Sequence, residues 1–163
     1  GVLEWIVHRF VLHSPPDSFV TRRLGGGVNH RKHHLDPPDM RWLLLDGADA
    51  TLFAVLLAVL CALWALPLLW LTGGALLLGY LTALGTTYLA FANYEWTHLM
   101  CHTRYRPKTR FYARLVRNHR LHHYRNEGYW LGVTSNVGDR LLGTYPKHKT
   151  DVELSETART LGR

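Results

Sequence analysis

From residue 50 to residue 94 the chain runs for 45 residues without one Asp, Glu, Lys or Arg. Nothing else in the sequence limits the fold so severely, because helices made of such residues have no polar face for water to wet. Residues 51–71 supply 21 uncharged positions. At about 1.5 Å per residue this covers a hydrocarbon core about 30 Å thick. Thr72, Gly73 and Gly74 break the run, and residues 75–94 provide a second span of similar length. Pro67 falls near the end of the first span, where losing one backbone donor disturbs a helix least. The expectation is an all-α integral membrane protein built on a transmembrane helical hairpin, with spans at about 51–71 and 75–94. A buried helix pair in a soluble bundle is the alternative, and it lacks the amphipathic pattern such pairs carry. A plain soluble domain is excluded.

The charges missing from the middle are gathered at the two ends. Residues 1–49 carry six basic and six acidic side chains, and residues 95–163 carry thirteen basic and six acidic, so the net charge of +7 arises in the C-terminal part. The turn between the spans is uncharged, whereas Arg41 precedes the first span and Arg104, Arg106, Lys108 and Arg110 follow the second. By the positive-inside rule both ends face the cytoplasm. Regions 1–49 and 95–163 then form one cytoplasmic helical cap within a single domain covering 1–163. Its basic excess suits anionic lipid headgroups or an acidic protein partner. No nucleic-acid-binding motif accompanies it, so nucleic acid is not expected as a partner. Arg outnumbers Lys 15 to 4, which points to a GC-rich bacterial genome and its inner membrane. In a eukaryote the corresponding membrane is the endoplasmic reticulum. Residues 1–10 are already apolar and already hold a motif histidine, so the natural chain is expected to begin further upstream.

Ten of the eleven histidines fall into four short boxes. His8 and His13 form H-x4-H; His30, His33 and His34 form H-x2-H-H. His98 and His102 form H-x3-H; His119, His122 and His123 form a second H-x2-H-H. At this chain's own histidine frequency an H-x2-H-H is expected roughly 0.05 times by chance, and it occurs twice. On a helix, positions i and i+4 share a face, so His98 and His102 can reach one metal ion. In H-x2-H-H the first residue shares a face with both others, while the adjacent pair diverges by about 100°. One such box can therefore serve two metals. Imidazole suits Zn, Cu, Fe and Ni, and ten candidates exceed what one ion can use, so a His-rich dimetal site in the cap is expected. The hairpin returns the chain to its starting side and lets the four boxes meet.

Three carboxylates stand near the boxes. Glu4 precedes His8 by four residues and Glu95 precedes His98 by three, in the similar contexts EWIVH and EWTH. A metal-bound imidazole donates its other N–H to a carboxylate or carbonyl, so Glu4 and Glu95 are expected as such acceptors, with Asp139 a further candidate. Ordinary solvation at a helix end is the alternative for each. Lone His148, between Lys147 and Lys149, reads as solvated, and Cys61 and Cys101 read as packing residues. Trp5, Phe10, Trp96, Tyr129 and Trp130 are candidates to line an apolar route, though packing is the commoner role for such side chains.

These boxes, in this order around a membrane hairpin, resemble the fatty acid hydroxylase superfamily, which includes sterol desaturases, carotenoid hydroxylases and fatty-acid 2-hydroxylases. The stretch NHRLHHYRNEGYWLGVTSNVGDRLLGTYP, with Gly132-Val133-Thr134-Ser135, Asp139 and Gly143-Thr144, is most similar to the 2-hydroxylase branch. EWIVHRFVLH is similar to it as well, whereas HHLDPPDMRW is not matched to it. The resemblance implies a non-haem di-iron site held by His8, His13, His30, His33, His34, His98, His102, His119, His122 and His123, with one of the ten spare. It implies an O2-dependent monooxygenase that hydroxylates an unactivated C–H bond of a bilayer lipid. The expected substrate position is C2 of a fatty acyl chain, with sterol desaturation or carotenoid hydroxylation as alternatives. Two electrons would come from a separate donor such as cytochrome b5 or ferredoxin with its reductase. Zinc can replace iron in a purified sample, since the general affinity order favours it over Fe(II).

Two rival classes remain. A metal transporter or storage protein would place ligands at mid-depth in its spans, and here the spans hold only Cys61. A membrane zinc hydrolase needs three protein ligands and an open position, far fewer than ten.

Overall fold

The computed structural model describes residues 1–25, 27–44 and 47–161. The described residues are all-helical, with no strand among them. They divide into two compact units, one of residues 1–44 with 97–163 and one of residues 45–96.

In the second unit, helix α4 runs from Gly47 to Leu71 and helix α5 starts at Leu76. Both are long and apolar enough to cross a membrane. Their outward side chains are large and apolar: Leu63, Trp70, Leu71, Leu77 and Leu89 are all more than two-thirds exposed. Such a surface suits lipid. The reversal is made at Gly73, whose φ of 67° costs a residue without Cβ nothing. The Gly74 N–H bonds back to the Leu69 carbonyl at 2.8 Å. A Cβ at Gly79 would stand 2.6 Å from Leu69 Cδ2, so glycine lets the helices close there. Tyr80 and Tyr88 donate their hydroxyls across the hairpin to the Ala58 and Ala54 carbonyls at 3.2 and 2.9 Å. Thr82, Thr86 and Thr87 donate to the carbonyl four residues back, each at 2.8 Å, leaving no bare hydroxyl for lipid to meet. Pro67 does not end α4, which continues to Leu71.

Helix α5 does not stop near residue 94 but continues to His102. Its 27 residues exceed what a hydrocarbon core needs by about two turns, and the third histidine box occupies its C-terminal end.

The first unit is built from short helices. Helix α1, Val2–Val7, passes directly into a π-helical turn, His8–Leu12. Helix α2, Phe19–Leu24, is capped by Ser18, whose side chain accepts the Thr21 N–H, and ends on left-handed Gly25. Helix α3 is Val28–Leu35, α6 is Arg110–Tyr124 with Thr109 as its cap, and α7 is Val137–Leu141. The side chains that α3 buries are His30, His33 and His34, with no aliphatic residue among them. Helix α6 buries Leu115, Val116 and Asn118 along with His119, His122 and His123. Residues 152–161 are tied to these helices by arginines. Arg125 donates to the Val152 carbonyl at 2.7 Å and Arg159 to the His34 carbonyl at 3.1 Å.

Candidate metal centre

All ten boxed histidines come together in the first unit, as two groups of five. His8, His13, His30, His34 and His122 form one group; His33, His98, His102, His119 and His123 form the other. Within each group every residue offers a ring nitrogen within 4.8 Å of the others. Eight of the ten are buried, and His13 and His102 are partly so. Lone His148 stays exposed and joins neither.

Local winding decides who joins which group. On an α-helix, residues five apart point about 140° away from each other. The chain at His8–Leu12 is instead wound with π-type bonds, and the His13 N–H reaches the His8 carbonyl at 3.0 Å. The wider turn brings residues five apart to one face, and the two rings stand 4.7 Å apart. Each H-x2-H-H box splits. His30 and His34, four apart on α3, keep together at 4.8 Å while His33 turns to the other group. His119 and His123 on α6 do the same at 4.6 Å while His122 crosses over. Helices α3 and α6 therefore each contribute to both groups, in opposite ratios.

The nitrogens converge as ligand atoms do. Nε2 of His119 lies 2.7 Å from Nε2 of His102 and 3.0 Å from Nε2 of His123, and Nε2 of His8 lies 3.2 Å from Nε2 of His30. Two imidazoles bound at right angles to one ion, each at about 2.1 Å, hold their nitrogens about 3 Å apart. The ring tautomers agree. Nδ1 of His8, His34 and His122 meets the carbonyls of Leu131, Ala158 and Tyr129 at 2.6, 2.8 and 2.9 Å. A carbonyl only accepts, so each Nδ1 carries the hydrogen and each Nε2 keeps its lone pair. Nε2 of His34 and of His122 is buried without a hydrogen-bond partner. Such an orphan costs about 1–3 kcal/mol. A bound cation removes that penalty, so the residues fit a pair of metal ions held entirely by imidazole.

Burial also keeps the rings in their ligating form. Desolvation, reinforced by neighbouring imidazoles, pushes His8, His13, His30, His119 and His123 well below the usual histidine range. Burial does the same to His34 and His122, against the opposing pull of their carbonyl bonds. Burial takes His33 down to about 3. Neutral imidazole is the form that binds metal.

Two of the nearby carboxylates, Glu4 and Asp139, bond to backbone amides and hydroxyls and not to histidines. Glu4 takes no histidine: its Oε1 accepts the Val133 and Thr134 amides at 2.6 and 2.7 Å, and its Oε2 accepts the Thr134 hydroxyl at 2.7 Å. His8 turns away from it, to the Leu131 carbonyl. Asp139, fully buried, accepts the Leu131 and Gly132 amides, each at 2.8 Å, and the Thr144 hydroxyl at 2.7 Å. Burial raises its pKa, against the pull of those bonds. Glu95 sits half-buried on α5, three residues before His98. Trp130 belongs to the core, fully buried at a left-handed φ of 52°, with its indole N–H on the Pro146 carbonyl. Phe10 and Trp96 are exposed, while Trp5 and Tyr129 are partly covered.

The acceptors for His8, His34 and His122 are backbone carbonyls, which no residue type announces. A further feature the sequence hid is a groove of about 310 Å³ on the outer face of α6, lined by Arg110, Ala113, Arg114, Arg117 and Tyr145. The Arg140 guanidinium lies 4.7 Å over the Tyr145 ring beside it.

The chain is 29% identical over 154 residues to the dihydroceramide fatty acyl 2-hydroxylase FAH2 of Arabidopsis thaliana, covering 94% of this chain and 60% of that protein. The chain thus spans about 60% of the length of that curated relative. No solved structure matches. The family model for fatty acid hydroxylases matches residues 1–144, and the chain belongs to that family.

Proposed function

We propose that the chain is the core of a membrane-bound, O2-dependent lipid hydroxylase whose two histidine groups hold two iron ions. The observation that carries this reading is the partition of ten histidines into two adjoining all-imidazole groups. The balanced reaction is R–H + O2 + 2e⁻ + 2H⁺ giving R–OH + H2O. Bound there, iron supplies the redox chemistry that activates O2, which zinc, having no redox chemistry, does not. His8, His13, His30, His34 and His122 would hold one ion, and His33, His98, His102, His119 and His123 the other. The chain's own part is to hold these rings neutral, to fix Nε2 inward and to keep bulk water from the nitrogens.

The relative acts on a dihydroceramide fatty acyl group by its name. This supports an acyl chain as substrate, hydroxylated at C2, drawn from the bilayer beside α4 and α5. The electrons would come from a separate acidic donor of the cytochrome b5 or ferredoxin type, with its reductase. Exposed Arg110, Arg114 and Arg117 support such a donor or anionic lipid headgroups. The histidine cap would face the cytoplasm, at a bacterial inner membrane or, in a eukaryote, the endoplasmic reticulum, with 1–163 acting as one catalytic domain.

The test is direct. The natural full-length protein, purified in detergent and loaded anaerobically with Fe(II), should hold two irons per chain and add one oxygen atom to a lipid when given O2 and electrons. A product lacking two hydrogens instead would move the reading to a desaturase. One metal or none, with no O2 consumed, would sink the oxygenase.

A further inference from the structure

We propose that Glu4 and Asp139 are positioning residues for one metal site and not the other, acting through the backbone of residues 129–134. The inference rests on the dimetal reading above. The segment is a strap laid over the first histidine group. Two of its carbonyls, Tyr129 and Leu131, receive the Nδ1 hydrogens of His122 and His8. Both rings belong to the group that also holds His13, His30 and His34. The amides of the same strap donate to two carboxylates: Leu131 and Gly132 to Asp139, Val133 and Thr134 to Glu4. The carboxylates, through its amides, and the imidazoles, through its carbonyls, thus clamp the same short backbone.

The clamp is tight enough to hold an uncommon backbone. Trp130 is left-handed, and its N–H bonds to the Thr144 carbonyl at 2.9 Å. A Cβ at Gly132 would stand 2.0 Å from the Ser135 carbonyl oxygen and 2.8 Å from Asp139 Oδ2. Thr144 links the strap's supports, donating to Asp139 and accepting the Trp5 indole N–H, each at 2.7 Å. In the second group, three of the described rings take no strap carbonyl. His33, His119 and His123 leave Nδ1 without a partner. Loss of the clamp should therefore free His8 and His122 to change tautomer and should weaken one site alone.

The two carboxylates are separable by conservative substitution. Asp139→Asn keeps the shape but turns one acceptor into an NH2 group, which then faces an amide donor of Leu131 or Gly132. Glu4→Gln keeps one oxygen for both the Val133 and Thr134 amides, and its NH2 can donate to the Thr134 hydroxyl. Glu4→Ala removes everything.

The experiment uses the full-length protein in detergent, with Zn(II) as the probe. Zinc binding is measured by chelator competition, and the tautomers of His8 and His122 by imidazole nitrogen NMR in the metal-free state. Asp139→Asn and Glu4→Ala should weaken one of two zinc sites by about 10–100-fold and remove the Nδ1–H signature, at unchanged helicity. Glu4→Gln should behave as wild type. Two undisturbed zinc sites in both damaging variants, equal weakening of both sites, or unchanged tautomers would overturn the proposal. Should Asp139→Asn fail to fold, the contrast between Glu4→Ala and Glu4→Gln decides. A wild-type chain that binds fewer than two zinc ions would sink the dimetal reading, and the tautomers would still decide the strap.

Discussion

A buried imidazole stays in a core only while it is neutral or holding a metal. His33, with its pKa brought down to about 3 by burial and by His102 and His8, stays neutral in the fold between about pH 6.5 and 3, where the unfolded chain has taken up a proton. The unfolded state then binds more protons, so stability falls as pH drops from about 6.5 toward 3, by up to about 1.4 kcal/mol per unit for each such ring. The metal-free protein should therefore melt at a clearly lower temperature at pH 5.5 than at pH 7.5. A melting temperature flat over that range would contradict neutral burial. The partition makes a second residue-level prediction. His34→Ala and His123→Ala remove donors from different groups, so each should cost one metal equivalent and leave the other, read by metal analysis of the folded variants. That the boxes could hold metal was legible from spacing alone. That Glu4 and Asp139 hold amides was not, because an acceptor's partner is chosen by the fold and a carboxylate accepts from any donor brought to it.

Among the elements, the junction between the π-turn and α3 carries the alignment of the first group. Gly27 opens α3 at a φ of 76°, and a Cβ there would stand 2.5 Å from the Leu12 carbonyl oxygen and 3.2 Å from that of Val11. Gly27→Ala meets both the left-handed penalty, about 1–2 kcal/mol, and a clash with backbone that carries His8 and His13. It should lower the melting temperature by several degrees and weaken the first metal site more than the second, whereas Gly25→Ala, with open space around it, should meet only the backbone penalty. Calorimetry with metal titration separates the two. The long apolar run of α4 and the start of α5 were readable from charge and length. The continuation of α5 to His102 was not expected from the end of the charge-free run, because helix propagation does not stop at a charge. The π-turn was unreadable too: one extra residue per turn leaves no compositional mark, and H-x4-H on an ordinary helix would have separated its two rings.

For the whole molecule, the hairpin of α4 and α5 has no polar face, so the protein should stay with membranes under alkaline extraction and come free only in detergent. Leu63→Arg, at a side chain 68% exposed within α4, should make insertion less favourable by about 3–4 kcal/mol, measured as the inserted fraction in a glycosylation-mapping assay. An unchanged fraction would argue that α4 does not meet lipid there. By itself the sequence determined two apolar spans and ten histidines whose spacings let one box face two metals, since charge and periodicity are local and survive any packing. Tertiary structure alone decided which histidine joins which group, which carbonyl sets each tautomer and which carboxylates hold the strap. Those choices depend on how separate helices meet. Periodicity states the angle of a side chain around its own axis and says nothing of what stands opposite it.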